Sequence, residues 1–224
     1  MTPTIHPSTR PRMLAMTMMC LMAPWLVTGC STTNQFHATT QVRAINLESQ
    51  SLKMSGIAFI TPTSVTGQEE DKQALAFAFA ETLKLARPDL RIVPLPETLG
   101  AINSAGFAAE YKQMLEDSRL TGIFSRDTLR KVSQVTGVRY LAQLKLGGFQ
   151  QGMQERWGLL GVRLVETQLT SLRLYLQIWD SETGTIVWEG TQELAVSIDT
   201  LKNTPISFMV AVEQSAKDLI AKLP

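Results

Sequence analysis

Two runs of alternating residues constrain this chain more than any other feature. From Val138 to Leu146, the residues Val138, Tyr140, Ala142, Leu144 and Leu146 share one side, while Arg139, Gln143 and Lys145 share the other. From Ser171 to Asp180 the apolar set is Leu172, Leu174, Leu176 and Ile178, set against Arg173, Tyr175, Gln177 and Trp179. A period of two places successive side chains on opposite faces of a strand, so both runs predict strands with one covered and one wet face. The segment Asp180-Ser181-Glu182-Thr183-Gly184 reads as a tight turn into Thr185–Val196, the third strand of an antiparallel meander. Trp179 and Trp188, on the meander, read as sheet-face packing rather than as a binding platform.

Ahead of Gly137 the period is that of a helix. Gln68–Ala86 places Leu75, Phe79, Leu83 and Ala86 at helical spacing and stops before Pro88. It lies between two short apolar runs, Lys53–Ile60 and Leu90–Val93, each stopped by a nearby proline. Strand, helix and strand in that order predict a right-handed βαβ unit. Helical segments follow near Pro96–Asn103, Phe107–Asp117 and Asp127–Val135, the last with Ser125 as N-cap and Gly137 just past its end. Thr204-Pro205 opens a final helix to Lys222, with Phe208, Val212, Ala216 and Leu219 as its apolar stripe. The fold class is therefore α/β (α+β), a mixed sheet in the order β-α-β-α-α-α-β-β-β-α with helices covering one face. A chain of 224 residues, 44% of them apolar, can fill one such core. The domain is placed at residues 53–224.

The first 29 residues have a different job. Residues 1–12 hold Arg10 and Arg12 and no acid, and a Met-rich apolar run follows from Met13 to Val27. The run is shorter than the roughly 20 residues a spanning helix needs, which fits a secretory signal peptide better than a membrane anchor. Its end, Val27-Thr28-Gly29-Cys30, resembles the lipobox of bacterial lipoproteins. The resemblance implies cleavage between Gly29 and Cys30, and acylation of the Cys30 thiol and of the new amino terminus. Several acyl chains on one residue anchor stably where one alone is marginal. Ser31 follows, where the enteric sorting pattern uses Asp to retain a lipoprotein at the inner membrane. The expected location is thus the outer membrane, facing the periplasm. Residues 30–52 read as the lipidated Cys and a flexible Thr/Gln/Asn/Ser-rich tether, within which Val42, Ile45 and Leu47 either begin a short strand or dock on the domain.

The order of elements, the "SGIAFI" strand and the "LQIWDSETGTIVWEG" hairpin resemble the periplasmic core of the curli secretion channel lipoprotein family. Related folds belong to the penicillin-binding-protein activator lipoproteins and to the amino-terminal domain of the Tol translocation protein. The resemblance covers about residues 54–222. The curli channel family adds two membrane-crossing hairpins to this core. Here Gly147–Thr170 has room for one, but Gln150, Gln151, Gln154, Glu155 and Arg156 crowd it. Ser197–Asn203 has no room for the second, since a crossing strand takes about 9–11 residues.

The composition argues against several chemistries. With 21 basic and 20 acidic residues, the chain lacks the positive excess of a nucleic-acid binder. Once the signal is removed the sole His is His37 and the sole Cys is Cys30, so no catalytic triad, metal site or cofactor site is expected. Carboxylate pairs such as Glu116 with Asp117, or Glu155 with Glu166, leave open a cell-wall hydrolase, and the channel family leaves open an oligomeric secretion-channel subunit. The leading reading is a non-enzymatic accessory held to the membrane by lipid and bound to another envelope protein. Its expected contact is the apolar, Gly- and Gln-rich segment Gly147–Gly161, with Phe149, Arg156, Trp157, Leu159 and Leu160 as the residues that would touch the partner. The other reading of that segment is that it packs back on the sheet or tether.

Overall fold

In a computed structural model the structure describes residues 35–64, 69–157, 163–200 and 206–224. In chain order the described elements are β1 (Gln35–Ala44), α1 (Ser49–Ser55), β2 (Ile57–Phe59), β3 (Thr63–Ser64), α2 (Glu69–Ala86) and β4 (Ile92–Val93). Next come α3 (Leu95–Ser104), α4 (Ala108–Thr121), α5 (Arg126–Thr136), β5 (Tyr140–Trp157), β6 (Arg163–Asp180), β7 (Thr185–Thr200) and α6 (Phe208–Ile220). The strands form one mixed sheet in the order β1-β7-β6-β5-β2-β4, with β3 beside β5. β5, β6 and β7 are the expected antiparallel meander, and β2 lies parallel to both β4 and β5.

The α/β class and the expected sequence of ten elements hold; β1, α1 and β3 are additional. The inward residues of the alternating runs, Leu144, Leu146, Leu172, Leu174, Leu176 and Ile178, pack against Leu75, Phe79 and Leu83 of α2 and Val212, Ala216 and Leu219 of α6. Burying one such side chain contributes about 2 kcal/mol. A one-residue slip would turn all six outward, at a cost comparable with the whole stability of a domain, about 5–15 kcal/mol. The register is fixed for that reason.

Cover is more extensive than a single face. Ala58, Ile60, Leu141 and Trp179 point the other way and meet Ile102, Met114, Leu129 and Val132 from α3, α4 and α5. Val138 belongs to this second core rather than with Tyr140, because it precedes the first residue paired in β5 and follows Gly137 in the left-handed region, φ 67°. Helices thus cover both faces where the sheet is parallel, and one face along the meander.

Three boundaries differ from the sequence reading. The tether expected over 30–52 is instead sheet and helix from Gln35 onward: β1 pairs with β7 over its full length, and Leu47 and Leu52 are buried. Lys53 and Met54 end α1 rather than begin a strand, because Gly56, at φ 69°, turns the chain between the helix and β2. Gly147-Gly148 does not end β5 but forms a bulge within it, after which the ladder to β6 resumes and runs to Trp157 opposite Arg163. The extra hairpin allowed for within Gly147–Thr170 is this outward continuation. Among the described residues no helix is long and apolar enough to cross a membrane.

Candidate functional site

The outward face of the meander is polar by register. Arg43, Glu189, Gln177 and Gln143 lie side by side across β1, β7, β6 and β5, and the next row is Gln41, Thr191, Tyr175 and Lys145. Thr63 of β3 pairs beside Lys145 and extends the second row. Strands about 4.8 Å apart and rows about 6.8 Å apart make a floor about 14 Å by 7 Å. Above it is a cleft of about 870 Å³, walled by Ser118 and Arg119 of α4, by Gly122 and Phe124 just after it, and by buried Lys72 of α2.

The wall is held by specific contacts. The Tyr111 hydroxyl accepts a hydrogen bond from the backbone N–H of Thr61 at 2.9 Å and also bonds the Thr61 hydroxyl at 2.9 Å, tying α4 to the strand layer. Burial pushes the Tyr111 phenol up from its ordinary pKa, and the Thr61 bonds oppose this only in part, so the group stays a neutral hydrogen-bonding post. Phe124 stands edge-on to the Trp179 ring at 5.0 Å between centroids, which fixes the corner between α4 and α5. On the floor, the Lys145 ammonium sits 5.8 Å from the Tyr175 ring centre, and Arg43 approaches Glu189 at 4.0 Å. Gly147 is required there, since a Cβ would lie 2.8 Å from Tyr175 Cε2.

A second polar cluster lies at the β6–β7 turn and is structural. Asp180 Oδ1 and Oδ2 accept from Arg139 Nε at 3.0 Å and Nη2 at 2.7 Å, and Oδ1 also accepts from the Glu182 backbone N–H at 2.9 Å. Burial alone would raise the Asp180 carboxyl, but Arg139 and the turn N–H groups outweigh it and hold the group below the ordinary carboxylate range. The exposed Asp89 is held at about 2, chiefly by the Arg87 guanidinium beside it.

The residues expected to touch a partner are dispersed. Phe149 is half-buried, its ring edge-on to Phe208 at 5.1 Å, and Gln151 donates to the Ile206 carbonyl at 2.7 Å. That stretch of the segment therefore packs back on the start of α6. Arg156 and Trp157 end β5, opposite Val165 and Arg163. Gly29, Cys30, Leu159 and Leu160 lie outside the described residues. Glu155 and Glu166 are register partners across β5 and β6, whereas Glu116 and Asp117 engage Lys112 and Gln113 on α4. Trp179 and Trp188 are buried on opposite faces of the sheet. Among the described residues no group of three or more His, Cys, Asp or Glu side chains could hold a metal ion.

No protein-family model and no curated protein matches the chain. Solved bacterial structures align with most of it at low identity. The PelC dodecamer from Paraburkholderia phytofirmans is 13% identical over 84% of this chain and 94% of that chain, with a TM-score of 0.42. Lipoprotein GNA1162 from Neisseria meningitidis is 17% identical over 75% of this chain and 98% of that chain, at 0.37. Protein XCC0632 from Xanthomonas campestris is 7% identical over 80% and 87%, at 0.34. At such scores no property of those proteins passes to this chain. None of the three bears the name of a curli secretion channel, a penicillin-binding-protein activator or the Tol translocation protein, so that resemblance gains no support from them.

The cleft floor was missed in the sequence because one edge of it, Gln41 and Arg43, fell in the expected tether. The arrangement offers amides, hydroxyls, cations and an aromatic ring on a rigid sheet. It is equipped to bind and orient.

Proposed function

We propose that this chain is a non-catalytic, lipid-anchored lipoprotein of the bacterial outer membrane, an accessory in envelope assembly, secretion or cell-wall synthase regulation. One observation carries the reading: Gln35, the first residue of β1, and the proposed partner contact share one end of the sheet. Gln35 lies in one row with Ser197, Leu169 and Gly152. From Gly152, β5 runs on past that row to Arg156 and Trp157, a further reach of about 17 Å at strand rise. Cys30 precedes Gln35 by five residues, which extend at most about 17 Å. Lipidation at Cys30 therefore brings the hairpin end toward the membrane surface, where another envelope protein would meet it. The "SGIAFI" and "LQIWDSETGTIVWEG" segments, with their resemblance to the curli secretion lipoprotein core, support the same class of role.

The test is a photo-crosslinker placed at Arg156 in intact cells, with an identical probe at exposed Leu85 of α2 as control. A discrete adduct with another envelope protein should form from position 156 and not from 85, and Trp157→Ala should weaken it about tenfold, a loss of about 1.4 kcal/mol. Equal patterns at both positions, or no adduct at 156, would remove the reading. Adducts only between copies of this chain would favour the oligomeric channel alternative.

A further inference from the structure

The polar cleft plays no part in that reading, and its chemistry points to a ligand of its own. Among the described residues its lining includes four basic side chains, Arg43, Lys72, Arg119 and Lys145, and one acid, Glu189. Lys72 is engaged within the chain and Arg43 faces Glu189, so the lining cations without a carboxylate partner among the described residues are Lys145, whose ammonium lies by the Tyr175 ring on the floor, and Arg119 of α4 on the rim. Around them the floor presents the amides of Gln41, Gln143 and Gln177 and the Thr191 hydroxyl, which can both donate and accept. A peptide partner would need deep apolar sockets for its anchor side chains, whereas the two floor rows present amides, hydroxyls, charges and one aromatic ring. A nucleic acid would need a strongly basic domain, whereas the whole chain carries a net charge of +1. Hydroxyl-rich rings bearing carboxylates satisfy both sets of groups at once.

We propose that this cleft binds an acidic oligosaccharide, its carboxylates against Lys145 and Arg119 and its hydroxyls on the glutamine rows. The volume of about 870 Å³ is within the usual range of ligand sites, roughly 300–1,000 Å³. Because the cations are exposed, each contact is screened and the affinity is modest and salt-dependent.

The experiment uses the mature chain with Cys30→Ser, which needs no detergent, titrated calorimetrically with hexagalacturonate, with uncharged maltohexaose, and with phosphatidylglycerol vesicles. Hexagalacturonate should bind with a submillimolar Kd that weakens as salt is raised, and at least tenfold more tightly than maltohexaose. The double variant Lys145→Gln, Arg119→Gln should lose at least tenfold in affinity with an unchanged thermal midpoint. Gln177→Ala, which leaves the charges in place, should lose severalfold. The proposal is overturned if hexagalacturonate does not bind, if maltohexaose binds equally, or if the variants bind like the parent. Variant-sensitive binding of the vesicles without binding of the sugar would assign the cations to lipid headgroups instead.

Discussion

Replacing Asp180 by alanine is expected to lower the thermal midpoint at neutral pH by roughly 4–8 °C, corresponding to about 2 kcal/mol for a domain of this size. The carboxylate is almost wholly buried and accepts three hydrogen bonds, two from the Arg139 fork. Truncation leaves the guanidinium with only Glu182, at 3.2 Å, as a charge partner. Breaking a fully buried pair costs about 3–5 kcal/mol, but the Arg139 side chain is 38% exposed, so water recovers part of that. The effect depends on pH in a definite direction. The folded-state pKa of Asp180 is depressed, so its contribution is complete above the unfolded value, about 3.9, and is lost as pH falls through the lower folded value. Urea melts of parent and Asp180→Ala should therefore differ by a constant amount from pH 7 to 5 and converge as the pH drops below about 4. A gap that persisted undiminished into strong acid would show that the turn, not the charge, carries the stability.

Gly190→Ala is expected to destabilise by about 2–3 kcal/mol, although alanine adds a single methyl group. Trp188 and Gly190 point to the same face of β7, and the fully buried indole lies over the glycine. An added Cβ would sit 2.5 Å from Trp188 Cη2 and 2.9 Å from Leu219 Cδ2. The indole cannot retreat, because α6 packs directly above it. Gly152→Ala is the control: an added Cβ meets nothing within 4 Å, and that change should be neutral to within about 0.5 kcal/mol. Trp188→Leu in the Gly190→Ala background should relieve part of the clash, giving a double-mutant coupling of about 1 kcal/mol or more. Strict additivity would mean that the indole does not press on position 190.

What could be read directly from the sequence was whatever is encoded locally. β6 announces itself because its leucines alternate without interruption, and α5 because Ser125 accepts from the Thr128 N–H while Gly137 takes the left-handed cap. The α6 stripe was legible for the same reason, with Val212, Ala216 and Leu219 all buried. β1 was not. It is an edge strand whose partner, β7, lies some 150 residues away, and only one of its faces meets the protein, so its Thr and Gln residues carry no strong apolar alternation. The polar cleft depends on that pairing, since Arg43 and Gln41 reach the floor only when β1 closes the sheet. A weak signal was present in the spacing of Thr39, Gln41 and Arg43 between small and apolar neighbours. Likewise Ile57-Ala58-Phe59-Ile60 reads only as an apolar run, and it feeds two cores, with Ile57 and Phe59 in one and Ala58 and Ile60 in the other.

The central claim is that Cys30 ties this domain to a membrane, and the mass of the mature amino terminus tests it most directly. Protein isolated from a Gram-negative host should begin at Cys30, carry two or three acyl chains and sediment with outer-membrane vesicles, while Cys30→Ser should remain unacylated and leave the membrane fraction. An amino terminus other than Cys30, or an unmodified Cys30 on protein recovered from the soluble fraction, would contradict the account.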